Sequence, residues 1–597
     1  MSIFTEVQKR TLPRSKFDLS HSNKLTGNFG YLMPILVEEL IPGDSVRHSH
    51  QIFAQFDPLQ SMMMHRFYIK TEYFFVPNRL VYDEFNDFLV GGPDGTDTLV
   101  PPHDLYSIPF GYWKDAYHDN TFKEGMSQCG SLFDYMGFPS VEVFGDSADR
   151  SARQYTSRDY CQRVFSGSDW LKQKFSSLAF RAYQLIWNDW YRDENLQTEL
   201  EIDTSGGLET NDPAMLYKLR RRAWRKDYFT SALPWPQKGP TVTLSLGDVA
   251  NVYPALITDA GGGHDDQSVG FMMRPDATDP LWRLSENDLA MFNPDSTIAT
   301  HNRQAVTDNS VPWNWIKVVQ PTPGEPGHYE DVGSMGLIAD IRQAAAISIE
   351  ELRRAEMVQH WLEVNAVGGT RDVEQIYSHF GVRPPDFRLG RPEYIAGYSQ
   401  DCSVGNIYNT GGNKEAGEDS NVQAYAVGNV QSLGSSGSFK YYAQEHGWLI
   451  GLCTVVPRAG YFQGLPRKYG HRMDKFDYYW PEFAHLGEQA IYTDELYLDS
   501  NITQDIQFGY APRYSEYKFH NDEIHGFLRT DKYTYHDARM FDTEPFLNEQ
   551  FIEMSADYSD LNRIFNYTLE DRHHFELDIF HNLSKVSSMP YFGNPKL

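Results

Sequence analysis

The sequence predicts a mainly β fold, a sandwich or jelly roll with long inserted loops and a few helices. Three observations predict it. Strand patterns of period two recur from one end of the chain to the other. Aromatic residues are abundant, with 37 Tyr, 37 Phe and 12 Trp, and such rings favour sheets and large packed interfaces over helical bundles. The 32 Pro and 45 Gly are spread along all 597 residues instead of being gathered in one linker, as in a loop-rich β protein.

Taken in order, the first strong strand runs from Phe67 to Phe75. Phe67, Ile69, Thr71, Tyr73 and Phe75 share one face, and Tyr68, Lys70 and Glu72 the other. A helix is expected over Leu178 to Tyr191. Thr241 to Leu246 alternates again, with Val242, Leu244 and Leu246 inward. Ser348 and Glu351 form a capping box ahead of an amphipathic helix. Its stripe is Ile349, Leu352, Ala355, Val358 and Leu362, and Gly368-Gly369 stops it. A second short helix is expected over Thr370 to Phe380. Trp448 to Val456 is nearly continuous apolar sequence ended by Pro457, the pattern of a strand buried on both faces. Strands this far apart pair non-locally, as a sandwich requires. Two stretches, about 247–336 and 401–438, are polar and lack clear periodicity, which reads as functional surface loop or disorder.

Lys plus Arg is 53 against 81 Asp plus Glu, a net charge of −28. A protein that holds nucleic acid by its overall field should be basic, so contact with DNA must be local or helped by a basic partner. Cys129, Cys161, Cys402 and Cys453 are widely spaced, with no C-x-x-C pair, and read as reduced core residues. No basic-then-apolar leader opens the chain, and no apolar run approaches the ~18 residues of a membrane span. The expectation is a soluble protein made inside a cell, without membrane insertion.

No phosphate loop, dinucleotide fingerprint, H-E-x-x-H or G-x-S-x-G occurs. The sequence therefore predicts no catalytic residue, no cofactor and no metal site. His264-Asp265-Asp266 after three glycines reads as a polar loop tip, and His573-His574 as a surface or interface cluster. One basic run stands out, Lys218 to Phe229, where Arg220, Arg221, Arg222, Arg225 and Lys226 alternate with Trp224 and Tyr228. Cations among rings can neutralise phosphates and stack on bases of a single strand. In so acidic a chain, pairing with carboxylates of neighbouring chains is the favoured reading. Lys9, Arg10, Arg14 and Lys16 pose the same choice, as an arm lining an inner surface.

The segment Phe229-Thr-Ser-Ala-Leu-Pro-Trp-Pro-Gln-Lys-Gly-Pro240 resembles a signature of gokushovirus-type major capsid proteins, of the microvirus family. So do Gly30-Tyr-Leu-Met-Pro34, Phe74-Phe-Val-Pro-Asn-Arg79, Asn188-Asp-Trp-Tyr-Arg-Asp193 and Gly390-Arg-Pro-Glu-Tyr394. Tyr479-Trp-Pro-Glu-Phe483, Pro512-Arg-Tyr514 and Pro590-Tyr-Phe-Gly593 match near the end. The resemblance covers nearly the whole chain in order and departs mainly in the two polar stretches. It implies an eight-stranded viral jelly roll. In chain order the parts would be an arm (1–29), the first jelly-roll part with helical insertions (30–246) and a variable insertion (247–336). A helical insertion (337–400), a polar loop (401–438) and the last strands with a C-terminal extension (439–597) would follow. The implied protein is structural. It would form pentamers, then a small icosahedral (T=1) shell around circular single-stranded DNA, made and assembled in the bacterial host cytoplasm. Implied partners are further copies of itself, the genome, a small basic DNA-binding virion protein, a minor pilot protein and a host surface receptor. The insertion is expected to make a threefold protrusion, with Trp282 and Phe292 in its packed base, Phe271 in another apolar burst, and Gly261 and His264 near an exposed turn. A carbohydrate-binding or carbohydrate-active jelly-roll protein is the competing class.

Overall fold

A computed structural model describes residues 13–92, 96–106, 130–138, 173–239, 251–254, 268–273, 290–292, 298–299, 314–319, 337–340, 349–368, 378, 385–386, 390–408, 426–499, 506–554, 561–566 and 573–592. The chain divides into two compact units, one of residues 1–239 with 362–597 and one of residues 240–361.

The first unit is built on eleven strands. They are β1 (Ser15–Asp18), β2 (His21–Gly27), β3 (Met33–Leu40), β4 (Ser45–Phe56), β5 (Phe67–Pro77), β6 (Glu393–Asp401), β7 (Ser403–Tyr408), β8 (Ala426–Ser435), β9 (Phe439–Tyr442), β10 (Gly447–Pro457) and β11 (Phe575–Ser587). A seven-stranded sheet runs β1-β11-β4-β8-β7, with β2 also on β11 and β9 also on β4. A four-stranded sheet runs β6-β5-β10-β3. All these ladders are antiparallel. Residues hundreds of positions apart are brought side by side, as when Phe56 pairs Phe575.

The inward faces of both sheets share one apolar core. Val46, Ile52, Ala54 and Phe56 of β4 and Leu577, Ile579 and Leu583 of β11 meet Met33, Ile35, Phe67, Ile69, Leu449 and Val455 from the other sheet. The outer face of the four-stranded sheet is covered too. Phe74, Val76, Ile450 and Leu452 pack against Phe180, Ala182, Tyr183 and Ile186 of helix α1 (Leu178–Ile186). Burial on both faces is the reason Trp448 to Val456 reads as unbroken apolar sequence. Gly451 makes this layering possible, because a Cβ there would stand 2.6 Å from the Tyr73 ring.

Some expectations are corrected here. The arm at 1–29 is sheet from Ser15 onward: the thirteen residues of β11 offer a long ladder, and β1 and β2 both take it up. The polar stretch 401–438 holds β7 and β8, whose Val404 and Val430 stand opposite each other. Its Gly and Ser hid a strand whose hydrogen bonds come from β4. The predicted helix over Leu178 to Tyr191 holds in span, but its last turn, Trp187–Tyr191, is π-helical.

In the second unit, Asn251–Pro254 pairs with Leu337–Asp340. A four-stranded antiparallel sheet orders Ile298–Ala299, Ala290–Phe292, Ser268–Met273 and Asn314–Val319. The stretch 247–336 is therefore not all loop. Its apolar bursts at Phe271 and Phe292 fall in these strands, with Phe271 opposite Ile316 and Phe292 opposite Ile298. The helix predicted after Ser348 is α2 (Ile349–Gly368), which begins in this unit and ends at the predicted glycine. Leu352 and Val358 of its stripe are exposed in the isolated chain. Thr241 to Leu246, Ser348, Gly261, His264, Trp282 and most of Thr370 to Phe380 lie outside the described residues, as do Lys9, Arg10, Cys129 and Cys161.

Candidate functional site

The basic run after Lys218 sits on the wall of the four-stranded sheet. Arg220 is buried, donating from Nε to Gln184 Oε1 (2.7 Å) and from Nη2 to the Met215 carbonyl (2.9 Å), with its guanidinium 4.7 Å from the Trp187 ring centre. Arg221 donates to the Met554 carbonyl (3.2 Å) and to Tyr31 Oη (2.8 Å). Arg222 holds Glu72 through both nitrogens, at 2.6 and 3.1 Å. Burial opposes the charge on Glu72, but Arg222 and the donated hydrogen bonds outweigh it and hold the carboxyl below its usual range. Lys226 pairs with Asp193. Arg225 is exposed, and its charge acts on Lys70 of the same wall. Four of the five cations are thus held within the chain itself. The expectation that neighbouring chains supply their acids is corrected. The partners come from β5 and from the turn after α1, which lie next to this run only in the folded sandwich.

The region from Gly460 to Tyr535 presents a different surface. Its frame is a set of buried charged pairs. Arg467 donates to Glu495 (2.9 Å), His471 to Asp494 (2.9 Å), and Arg472 to Glu516 (2.6 Å). The His471 ring stacks on Tyr492 at 4.3 Å. Tyr514 adopts a left-handed backbone with φ of 64°, held by its N–H donating to Gln489 (3.0 Å). Around this frame Tyr478, Tyr479, Trp480 and Tyr517 are each about half exposed. Tyr479 lies 4.9 Å from Tyr514 and 6.4 Å from Tyr517, and the Arg472 guanidinium is 4.9 Å from the Tyr517 ring. The tyrosine rings cluster around Arg472, and the Trp480 backbone N–H reaches the Tyr514 hydroxyl beside them. Tyr469, Met473, Phe519 and Phe527 of the same region are exposed as well. Large exposed patches of this kind mark binding surfaces, and aromatic residues with Arg are the chemistry enriched in protein interfaces. The motifs around Tyr479 and Pro512 were visible in sequence; their convergence was not.

Titratable groups inside the sandwich are structural. His48, His50 and His581 lie between the sheets, with His48 Nε2 3.0 Å from His581 Nδ1 and Tyr73 Oη 2.8 Å from His50 Nδ1. Burial pushes His48 and His581 down to about 3 and His50 to about 4. Cys453 is buried and its thiol is pushed up to about 12. His574, expected in a surface or interface cluster, is buried within the chain and stacked on Phe565 at 4.3 Å; the pairing of Gly27 with Phe575 draws it inward. Among the described residues no group of three or more His, Cys, Asp or Glu side chains is placed to hold a metal ion, and no helix is long and apolar enough to cross a membrane.

The chain matches the family described as Capsid protein (F protein) over residues 5–121 and 165–597. It is 30% identical to the capsid protein VP1 of Chlamydia phage 1, over 100% of this chain and 97% of that protein. The capsid protein VP1 of Bdellovibrio phage phiMH2K is 30% identical over 99% of this chain and 97% of its own. That of Spiroplasma virus 4 is 25% identical over 100% and 97%.

Proposed function

The chain belongs to the capsid F-protein family of the Microviridae, and from that premise we propose that it closes through pentamers into a T=1 icosahedral shell around circular single-stranded DNA. It is a structural major capsid protein and not an enzyme. The observation that carries the assembly reading is the exposed aromatic patch around Arg472, together with the other large apolar side chains left uncovered between Tyr469 and Phe546. A soluble monomer rarely leaves so much exposed. A closed shell satisfies it, because point symmetry lets one repeated interface set serve every subunit.

The fold reading that accompanies this is an eight-stranded jelly roll. Its strands would be β2, β3, β4, β5, β6, β8 continued by β9, β10 and β11. The orders β2-β11-β4-β8 and β3-β10-β5-β6 support it, since they follow from winding a long hairpin of paired strands into two sheets. In the same reading a small basic virion protein neutralises much of the genome, because this chain is itself acidic. A minor pilot protein completes the particle, which is assembled in the bacterial host cytoplasm. The insertion over 247–336 forms the threefold protrusion that meets the host receptor.

Sedimentation and electron microscopy of the expressed full chain test the proposal. Pentamers and closed shells of about sixty copies are expected. Monomers alone, under every co-expression condition tried, would sink it.

A further inference from the structure

The seven-stranded sheet turns one face to the core and the other to solvent, and the solvent face has an unusual composition. Residues directly opposite in antiparallel ladders share a face. Leu433 of β8, Phe53 of β4 and Asp578 of β11 are opposite one another, and so are Gln51 and Phe580. Phe53 and Phe580 are therefore diagonal neighbours, with Cα atoms about 7–8 Å apart. Both rings are exposed, as is Leu433. Around them stand the exposed amides of Gln51, Gln55 and Gln431.

The charge on this face departs from that of the chain. Its cations are Lys16, Lys24, Arg47 and Lys440, and its acids Asp18, Glu576 and Asp578, in a protein of net charge −28. Lys24 and Asp578 pair at 3.0 Å, and Asp18 accepts from the Ser20 hydroxyl and N–H. Arg47 and Lys440 stand directly opposite each other and both are exposed. Like charges facing across a ladder cost stability unless an anion lies over them. They sit six residues along β4 from Phe53, about 20 Å at strand rise.

We propose that this face is where a single DNA strand lies on the protein, with Phe53 and Phe580 stacking on bases and Arg47, Lys440 and Lys16 taking phosphates. The proposal rests on the capsid reading. An open sheet that stacks bases on central aromatics, with amides able to bond any base edge, binds single strands without demanding one sequence. Beside the rings stand neutral amides and Asp578, whose charge Lys24 pairs, and the Arg47–Lys440 pair lies farther along β4; this arrangement matches a base-and-phosphate polymer. A second copy of an acidic chain would instead call for the denser aromatic chemistry found around Arg472. The face also supplies what the run at Arg220 to Lys226 does not, because its cations are not drawn into the sandwich wall. Of the N-terminal cluster, Lys16 belongs to it, and Arg14 lies alongside with its guanidinium 5.8 Å from the Tyr442 ring centre.

The test uses purified oligomers of the full chain and a 20-nucleotide oligo-dT carrying 5-iododeoxyuridine as photoprobe. Cross-links on wild-type protein are expected in the peptides bearing Phe53 and Phe580. Phe53→Ala with Phe580→Ala should weaken oligonucleotide binding by roughly tenfold for each ring, with sedimentation unchanged. Arg47→Gln with Lys440→Gln should lower the slope of log affinity against log salt by about 0.7 per cation. Phe53→Trp with Phe580→Trp keeps both rings and should retain binding, which separates stacking from misfolding. Cross-links confined to other surfaces, or unchanged affinity in both loss variants, would overturn the proposal. So would loss of oligomers with DNA binding intact, which would make the face a protein interface. Failure of the wild-type chain to form oligomers at all would count instead against the capsid reading.

Discussion

Arg222 shows how a residue that looks free in sequence is committed by its surroundings. Its fork grips Glu72, whose neighbours include the Tyr191 hydroxyl. Arg222→Ala should destabilise the chain by about 3 kcal/mol, because a carboxylate is left half-buried without its partner. The shift of the urea midpoint measures it. Arg222→Lys should cost less, keeping the charge and losing the bidentate geometry. The histidines between the sheets predict a pH dependence of the opposite chemical type. His48, His50 and His581, with His21, Tyr73 and Tyr398 around them, stay neutral when folded at values where a free imidazole is already charged. The unfolded chain therefore binds more protons below pH ~6.5. Their contribution is fully present above that pH and is lost as pH falls toward about 3 to 4. Unfolding free energy followed from pH 7 to pH 4 should decline, and His48→Phe with His581→Leu should flatten that decline. A wild-type chain of constant stability over this range would contradict the placement of these rings.

At the scale of elements, β10 lies between the two apolar clusters of the first unit, one of them shared with α1. Leu449, Cys453 and Val455 face the first core, and Ile450 and Leu452 face α1. Ile450→Ala should cost about 2–5 kcal/mol, as large-to-small changes in closed cores do. Leu433→Ser, on an exposed strand face, should stay within about 0.5 kcal/mol. Thermal or urea melts of the two variants side by side check the contrast. The π-helical turn after α1 has a geometric consequence. It turns Trp190 so that its indole donates to the Pro392 carbonyl at 3.0 Å and brings Tyr191 to Glu72. A helix over Leu178 to Tyr191 was expected from the sequence. The widened turn was not, since it is set by what Trp190 and Tyr191 must reach.

For the whole molecule, the uncovered rings around Arg472 should govern association and not folding. Tyr479→Ala with Trp480→Ala should leave the monomer's circular dichroism unchanged and weaken assembly by more than tenfold, given the roughly 2 kcal/mol typical of aromatic hot spots. Sedimentation velocity reads the result, and normal shell yield would remove the patch from the interface. Deleting 247–336 should leave pentamers intact while abolishing adsorption to host cells. Pentamers that fail to form would place that segment in the core fold instead.

The sequence by itself determined the β class, the double-sided burial of Trp448 to Val456, the alternating face of Phe67 to Phe75 and the end of α2 at Gly368, because each depends on local periodicity or on a backbone-breaking residue. Its motifs also determined the family. Tertiary structure alone decided what the charges and rings do. Arg220 and Arg222 reach Gln184 and Glu72, 36 and 150 positions away, and no periodicity encodes a partner at that separation. The polar stretch after Asp401 became strand because β4 offered it hydrogen bonds, overriding weak propensity. Phe53 and Phe580 lie on one face for the same reason: a register between β4 and β11 that only the closed sandwich sets.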